Sequence, residues 1–108
     1  VFPAVSHLPH LLAFAYVGQI REHPDAQTFL DFAASGFRDF TRIASSHPAV
    51  WRDIALANRD FLQQLAAAQR AQLERLETML QNGDADGLYR YFAAAKQTRD
   101  EWLDKQDG

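Results

Sequence analysis

Hydrophobic side chains recur every three or four residues along most of the chain, which is the period of one face of an α-helix. The alternating pattern of a half-buried strand is absent. The chain has only four prolines and five glycines, and Ala, Leu, Gln, Arg and Glu are common, so the composition also favours helix. We therefore predict an all-α fold.

The first half of the chain predicts three helices. The first covers residues 1–22 and is kinked or broken at Pro9, which removes an amide donor and crowds the preceding turn. Asp25 is the predicted N-cap of a short helix that ends at Ser35-Gly36, and a second short helix covers residues 37–44.

The second half predicts a long helical hairpin. One helix is expected from Pro48 to Asn82, because proline suits a first helical position and Asn82-Gly83 is a stop signal. Asp84 then caps a last helix. The long helix would measure about 50 Å, whereas a globule of this length is only about 27 Å across, so a second chain is expected to cover it. Its stripe of residues at steps of three or four, which are apolar except for Asn58 and Gln69, consists of Trp51, Ile54, Asn58, Phe61, Leu65, Gln69, Leu73, Leu76 and Leu80.

Length and charge narrow the function. A chain of 108 residues predicts one domain over 1–108, and its net charge of −3 offers no basic surface for nucleic acid. Cysteine is absent, which fits a reducing compartment and makes the cytoplasm the expected location. We expect no membrane partner, because the longest apolar run, Leu11 to Val17, is too short to span a bilayer.

The sequence also lacks a nucleotide-binding loop and a leader. Its glycines stand singly, so no Gly-rich phosphate loop can be built, and we expect this chain to bind no cofactor by itself. It opens on Val1 without an initiator Met, a basic leader or a cleavage site. We therefore expect a fragment or trimmed chain without a signal peptide.

Two groups of polar residues are candidates for chemistry. Ser6, His7 and His10 form one polar strip on the otherwise apolar first helix. They are either core polar residues with local hydrogen bonds or part of a binding site. A metal-binding bundle is a further alternative, for which His23 or His47 would have to supply a third ligand; the prediction is that no metal is bound.

The second group lies on the short helix over residues 37–44. Asp39 and Arg42 are three residues apart and can pair, and Arg38 is one turn from Arg42. A charged face of this kind is ordinarily solvated, but the neighbouring helix ends favour an anion site, and Arg suits a carboxylate. Trp51, at the start of the next helix, suits either the core or a ligand contact.

Three ordered segments resemble a known family. They are Ser6-His7-Leu8-Pro9-His10-Leu11-Leu12-Ala13-Phe14-Ala15, Gly36-Phe37-Arg38-Asp39-Phe40-Thr41-Arg42-Ile43-Ala44, and Trp51-Arg52-Asp53-Ile54 with Asn58. Together they are similar to the C-terminal helical domain of prephenate and arogenate dehydrogenases over residues 1 to about 60. Residues 61–108 agree only in being a helical hairpin.

The resemblance implies roles for individual residues. Arg42 matches the arginine that holds a substrate carboxylate, and His10 matches a histidine near the substrate side chain or bound tyrosine. Four residues would support the pocket: Ser6, His7, Asp39 and Trp51. Where the family often has a run of glycines, this chain has Ala34-Ser35-Gly36, so backbone contacts from Ser35 are not carried over. No catalytic residue is expected within this chain.

The resemblance also implies a function for the whole enzyme. The chain would be the dimerisation and substrate-binding domain of an NAD(P)-dependent oxidoreductase that oxidatively decarboxylates prephenate or arogenate on the route to tyrosine. The nucleotide-binding domain of that enzyme, with NAD or NADP, would lie outside this chain, which by itself should be inactive. The partners would be a second copy through the hairpin and the substrate, with tyrosine as a candidate inhibitor. The alternative is a stand-alone helical protein-interaction module.

Overall fold

The computed structural model describes residues 3–107, which form helices and short connections. Over this range a π-helical turn covers Pro3–His7 and a 3-10 turn covers Arg42–Ser45. The six α-helices are α1 (Leu8–Glu22), α2 (Ala26–Asp31), α3 (Ser35–Thr41), α4 (Pro48–Ala57), α5 (Arg59–Gln81) and α6 (Ala85–Asp107). The predicted all-α class is confirmed. None of these helices is long and apolar enough to cross a membrane.

The start of the chain resolves the predicted break at Pro9. The π-helical turn ends at His7, and α1 begins at Leu8. Pro9 therefore lies in the first turn of α1, where the missing backbone N–H would have had no helical partner in any case. The helix ends at Glu22, as predicted, because His23 adopts an extended conformation before Pro24.

The two short helices are confirmed, with different boundaries. The predicted end of the first at Ser35-Gly36 is wrong: α2 stops at Asp31, and Ser35 instead begins α3. Asp25 is the N-cap residue of α2, as predicted, but its side chain makes no capping hydrogen bond. The backbone carbonyl of Asp25 still accepts the N–H of Phe29, at 3.0 Å.

The prediction of one continuous helix from Pro48 to Asn82 is wrong, because the helix is interrupted at Asn58, between α4 and α5. Asn58 has φ −116° and ψ 25°, and its Nδ2 donates to the carbonyl of Ile54 at 2.8 Å. Its own N–H is shared between the carbonyls of Ile54 and Ala55. An Asn side chain competes with the backbone for hydrogen bonds in this way, which disfavours a regular helix. Pro48 does open α4, as predicted.

The chain divides into two compact units, residues 1–67 and 68–108. In the first unit, α1 packs against the π-helical turn, α2, α3 and the 3-10 turn. Ala13 on α1 is fully buried, and the Tyr16 ring contacts the rings of Phe37 and Phe40. The prediction of one domain over 1–108 stays a prediction.

The second unit contains the end of α5, the turn and α6. The N–H of Asp84 reaches back to the carbonyl of Met79, and Gly83 has φ +60°, a left-handed conformation that glycine adopts without strain. The predicted cap is confirmed, because Asp84 Oδ1 accepts the N–H of Gly87 at 2.9 Å. Tyr91 on α6 contacts α5: its hydroxyl donates to Gln72 Oε1.

Few large side chains are covered by this chain alone. Over residues 4–107, the buried hydrophobic residues are Ala13 and Leu62. On α5 and α6, large hydrophobic side chains remain exposed, and they are Phe61, Leu73, Leu80, Tyr89, Phe92, Trp102 and Leu103. Exposed large hydrophobic side chains in this number are typical of helices that contact another chain.

Candidate functional site

The first half of the candidate site is a stack of three rings. The imidazole of His10 lies flat on the indole of Trp51, with ring centroids 3.8 Å apart and 16° between the planes. His7 meets the same indole edge-on, at 5.8 Å. The π-helical turn, α1 and α4 thus bring together three residues that the sequence analysis singled out.

A backbone hydrogen bond orients His10. Its Nδ1 lies 3.0 Å from the carbonyl oxygen of Ser6. A carbonyl can only accept, so Nδ1 carries a proton, and in the neutral form of the ring Nε2 is the acceptor. Ser6 therefore acts through its backbone, while its side chain is exposed.

His7 differs from His10 in lacking a partner. Its Nδ1 is buried and makes no hydrogen bond within the part of the chain that the structure describes. A buried polar atom of this kind is costly unless something bonds to it. Beside the stack, an apolar recess of about 290 Å³ is lined by Leu11, Phe14, Pro48, Trp51, Arg52 and Ala55.

The second half of the site is a concave surface around α3 and the 3-10 turn, which encloses a cavity of about 950 Å³. It is lined by Leu30, Ala33, Ala34, Ser35, Phe37, Arg38, Asp39, Thr41, Arg42 and Ser45. Arg42 and Asp39 thus line one surface. The rings of His10 and Trp51 are not among its lining residues.

The expected pairing of Asp39 with Arg42 is not present. Between residues 3 and 107, the ion pairs are Arg52 with Asp53 and Lys96 with Asp100. The guanidinium of Arg42 is consequently not neutralised by a carboxylate of the described chain.

The Lys96 ammonium donates to Asp100 Oδ2 at 2.7 Å, and this hydrogen bond, with the charge of the carboxylate, raises the pKa of Lys96.

Metal-ion binding and dinucleotide binding each require a particular set of groups. Among the residues described, no three His, Cys, Asp or Glu side chains lie close enough to share a metal ion. A dinucleotide normally needs a strand, a Gly-rich loop and a helix. Residues 3–107 form helices and short connections, without a strand of that kind.

Some lining residues were not among the predicted site residues. Leu30 and Ala33 line the concavity, and Leu11 and Phe14 line the recess beside Trp51. Their sequence signals are weak, because apolar residues on helices are common. Arg38 had a stronger signal in its spacing from Arg42.

Comparisons with known proteins identify the family. Residues 1–94 match the family model described as "Prephenate dehydrogenase, dimerization domain". A prephenate dehydrogenase from Bacillus subtilis (strain 168) is 41% identical over 101 residues, covering 93% of this chain and 27% of that protein. A cyclohexadienyl dehydrogenase from Zymomonas mobilis is 33% identical over 101 residues, covering 92% of this chain and 34% of that protein. The chain thus spans between about a quarter and a third of these relatives' length.

Solved structures agree with this match. The crystal structure of Synechocystis arogenate dehydrogenase superimposes with a TM-score of 0.86 at 25% identity, over 94% of this chain and 37% of that one. Prephenate dehydrogenase from A. aeolicus, solved in complex with hydroxyphenyl propionate and NAD+, gives a TM-score of 0.84 at 36% identity, over 94% and 36% of the two chains. The chain, with its all-helical fold, therefore belongs to the family of prephenate dehydrogenase dimerization domains.

Proposed function

We propose that this chain forms the dimer and one wall of the substrate site in an NAD(P)-dependent prephenate or arogenate dehydrogenase of tyrosine synthesis. The family match supports this function over an independent protein-interaction module. The observation that carries the substrate-binding part is Arg42, which lines a concave surface without an ion-pair partner in the described chain.

The exposed apolar side chains of α5 and α6 support a homodimer. Leu80 and Phe92 are each more than half exposed, and Trp102 is 52% exposed. Large apolar side chains on one chain are stabilised when a second copy removes them from water. The relatives' family description, a dimerization domain, agrees with this arrangement.

The polar groups of the first unit support binding of an aromatic acid. The planar guanidinium of Arg42 can make two parallel hydrogen bonds to one carboxylate. Nε2 of His10 can accept a hydrogen bond from a substrate group. The A. aeolicus relative was solved with hydroxyphenyl propionate, which combines an aromatic ring with a carboxylate.

The nicotinamide cofactor belongs to another part of the enzyme. The helices over residues 3–107 offer no dinucleotide fold, and the A. aeolicus relative, which was solved with NAD+, is much longer. Hydride transfer is therefore assigned to residues outside this chain. The role of this domain is to bind and orient the substrate and to join two subunits, and we place the whole enzyme in the cytoplasm.

Replacement of Arg42 in the full-length enzyme tests this function. Arg42→Ala should raise the KM for the substrate far more than the KM for the nicotinamide cofactor. Loss of one partner of a charge-assisted pair costs about 2 to 4 kcal/mol, or roughly 30-fold to 1000-fold in kcat/KM. Arg42→Lys should recover only part of this loss, because an ammonium cannot bind a carboxylate with two parallel hydrogen bonds. Steady-state kinetics, in which the concentrations of the substrate and of the nicotinamide cofactor are varied in turn, measure the effect.

The matched control is Arg21→Ala, which removes an exposed arginine from the last turn of α1. It should leave both KM values unchanged. A thermal melt of each variant separates lost binding from unfolding. If Arg42→Ala melts normally and keeps the wild-type kcat/KM, the substrate is not bound at this residue and the proposal fails.

A further inference from the structure

The turn between α5 and α6 exposes the one Asn-Gly pair of the sequence, Asn82-Gly83. α5 ends at Gln81 and α6 begins at Ala85, so this pair lies outside both helices. Gly83 has φ +60°. Apart from its two chain neighbours, no heavy atom of the described chain lies within 4 Å of the position that a Cβ on Gly83 would occupy. The turn is therefore uncrowded on the side of the glycine.

An asparagine followed by glycine holds an electrophile and a nucleophile close together in the chain. The amide nitrogen of Gly83 can attack Cγ of Asn82, and the new C–N bond closes a five-membered succinimide ring. The Cγ–Nδ2 bond breaks, and Nδ2 leaves as ammonia with the proton that the backbone amide gives up. Water then opens the ring at either carbonyl and yields aspartate or isoaspartate, without an oxidant or a reductant. Glycine favours the attack because it has no Cβ to hinder it.

Local opening of the turn is enough to bring the two groups together. The N–H of Gly83 donates to the carbonyl of Leu80 at 3.2 Å, at the long end of the usual range for such bonds. Hydrogen bonds at an exposed helix end open at a low cost in free energy. Asn82 is exposed, so little packing opposes rotation of its side chain. The reaction therefore does not require the hairpin to unfold.

The same chemistry is hindered at two related places. Asn58 is half-buried, its Nδ2 donates to the carbonyl of Ile54 at 2.8 Å, and the next residue, Arg59, carries a side chain. Asp86-Gly87 lies in the first turn of α6, where the glycine is buried and its N–H donates to the capping carboxylate at 2.9 Å. Asn82 is therefore the more reactive of the two asparagines in the sequence.

Isoaspartate at position 82 would change the turn in two ways. It inserts one methylene group into the backbone between α5 and α6, where the N–H of Asp84 reaches back to the carbonyl of Met79 at 2.9 Å. It also places a carboxylate at the C-terminal end of α5, where the helix dipole disfavours negative charge. Asp84 and Asp86 add negative charge close by in the sequence. Both changes weaken the turn.

We propose that Asn82 is a site of spontaneous deamidation, and that its isoaspartate product loosens the turn that joins α5 to α6. The proposal is independent of the proposed substrate site, because the chemistry needs only this pair of residues and water. It concerns the hairpin whose apolar side chains are proposed to form the dimer. Deamidation would therefore limit the lifetime of the assembled enzyme.

Ageing of the full-length enzyme tests this inference. The purified enzyme is incubated in warm neutral buffer and digested at intervals for mass spectrometry, which detects the gain of about 1 Da when an amide becomes a carboxylic acid. The peptide that contains Asn82 should convert at least about tenfold faster than the peptide that contains Asn58, a difference of about 1.4 kcal/mol in activation free energy. Chromatography of the digest should separate isoaspartate from aspartate among the products.

A matched variant links the modification to the turn. Asn82→Gln should resist conversion, because its longer side chain would have to close a less favourable six-membered ring. This variant should keep its melting temperature during the incubation, whereas that of the wild type should fall by about 2 °C or more. Equal conversion of the two asparagines, or no gain in mass at either, overturns the inference. So does an aged wild-type enzyme that contains isoaspartate at this position and melts like the fresh one.

Discussion

At the scale of single residues, one hydrogen bond determines what His10 offers to a ligand. The carbonyl of Ser6 accepts from Nδ1, which leaves Nε2 as an acceptor, and stacking on Trp51 restricts rotation of the ring. A ring held in one tautomer and one orientation loses little entropy when it binds a ligand. His10 is therefore already oriented for binding before a ligand arrives.

Replacement of His10 by phenylalanine separates the stacking from the hydrogen bond. His10→Phe keeps a flat ring against Trp51 but removes Nε2, so we expect the KM for substrate to rise about tenfold, the cost of one hydrogen bond to a polar ligand group. The melting temperature should change little. His47→Phe is the control, because His47 is exposed and lies outside the three-ring stack. Equal kinetics for His10→Phe and the wild type would contradict a ligand role for Nε2.

At the scale of elements, two short signals determine where the long helices end. The Asn58 side chain competes for the carbonyl of Ile54 and separates α4 from α5. Gly83 takes the left-handed conformation that turns the chain, and Asp84 caps the first turn of α6. The turn is local, so it forms from neighbouring residues without help from distant ones.

Loss of the Asp84 cap should lower the stability of the domain. Asp84→Ala leaves the N–H of Gly87 without its side-chain acceptor, and such replacements cost about 1 kcal/mol in free energy of unfolding. Thermal melts at equal protein concentration measure the change, since association shifts the melting temperature. Asp86→Ala is the control: it removes a carboxylate from the same turn that makes no hydrogen bond in the described chain. If the two variants lose equal stability, charge at the helix end matters and the cap does not.

At the scale of the whole molecule, the solvent-accessible surface of the chain is large for its length. The chain exposes 8739 Å². Two globular units of these sizes, each taken alone, would expose roughly 7,200 Å² in total. The excess is on the order of 1,500 Å², comparable to or larger than one subunit's share of a standard protein interface. A second copy of the chain would cover surface of this extent.

A charge placed in the exposed apolar stripe should weaken the dimer. Leu73 is 51% exposed on α5, and Leu73→Lys would put an ammonium into an apolar contact. We expect the dissociation constant of the Leu73→Lys homodimer to be at least about tenfold higher than that of the wild type, as for substitutions of other residues central to an interface. Glu77→Lys, one turn further along the helix, is the matched control and should have a smaller effect. Light scattering over a concentration series measures both, and a wild-type chain that stays monomeric at micromolar concentration contradicts the dimer.

The sequence by itself determined the helical class, the turn at Gly83 and the cap at Asp84. These features depend on neighbouring residues: hydrophobic period, backbone freedom and a side chain three residues away. The sequence also indicated a kink or break at Pro9, but it did not show that a π-helical turn comes first and that α1 begins at Leu8. The motif spacing was sufficient to indicate the family.

Only the tertiary structure decided which candidate residues meet. It placed His10 and His7 on Trp51, and Arg42 with Arg38 on a different surface, because contacts between α1 and α4 depend on packing between residues far apart in the chain. It also removed the expected Asp39–Arg42 pair, since spacing permits a contact but the side-chain directions decide it. The break at Asn58 belongs to the same class, because the residue suits the helix stripe by period and interrupts it by hydrogen bonding.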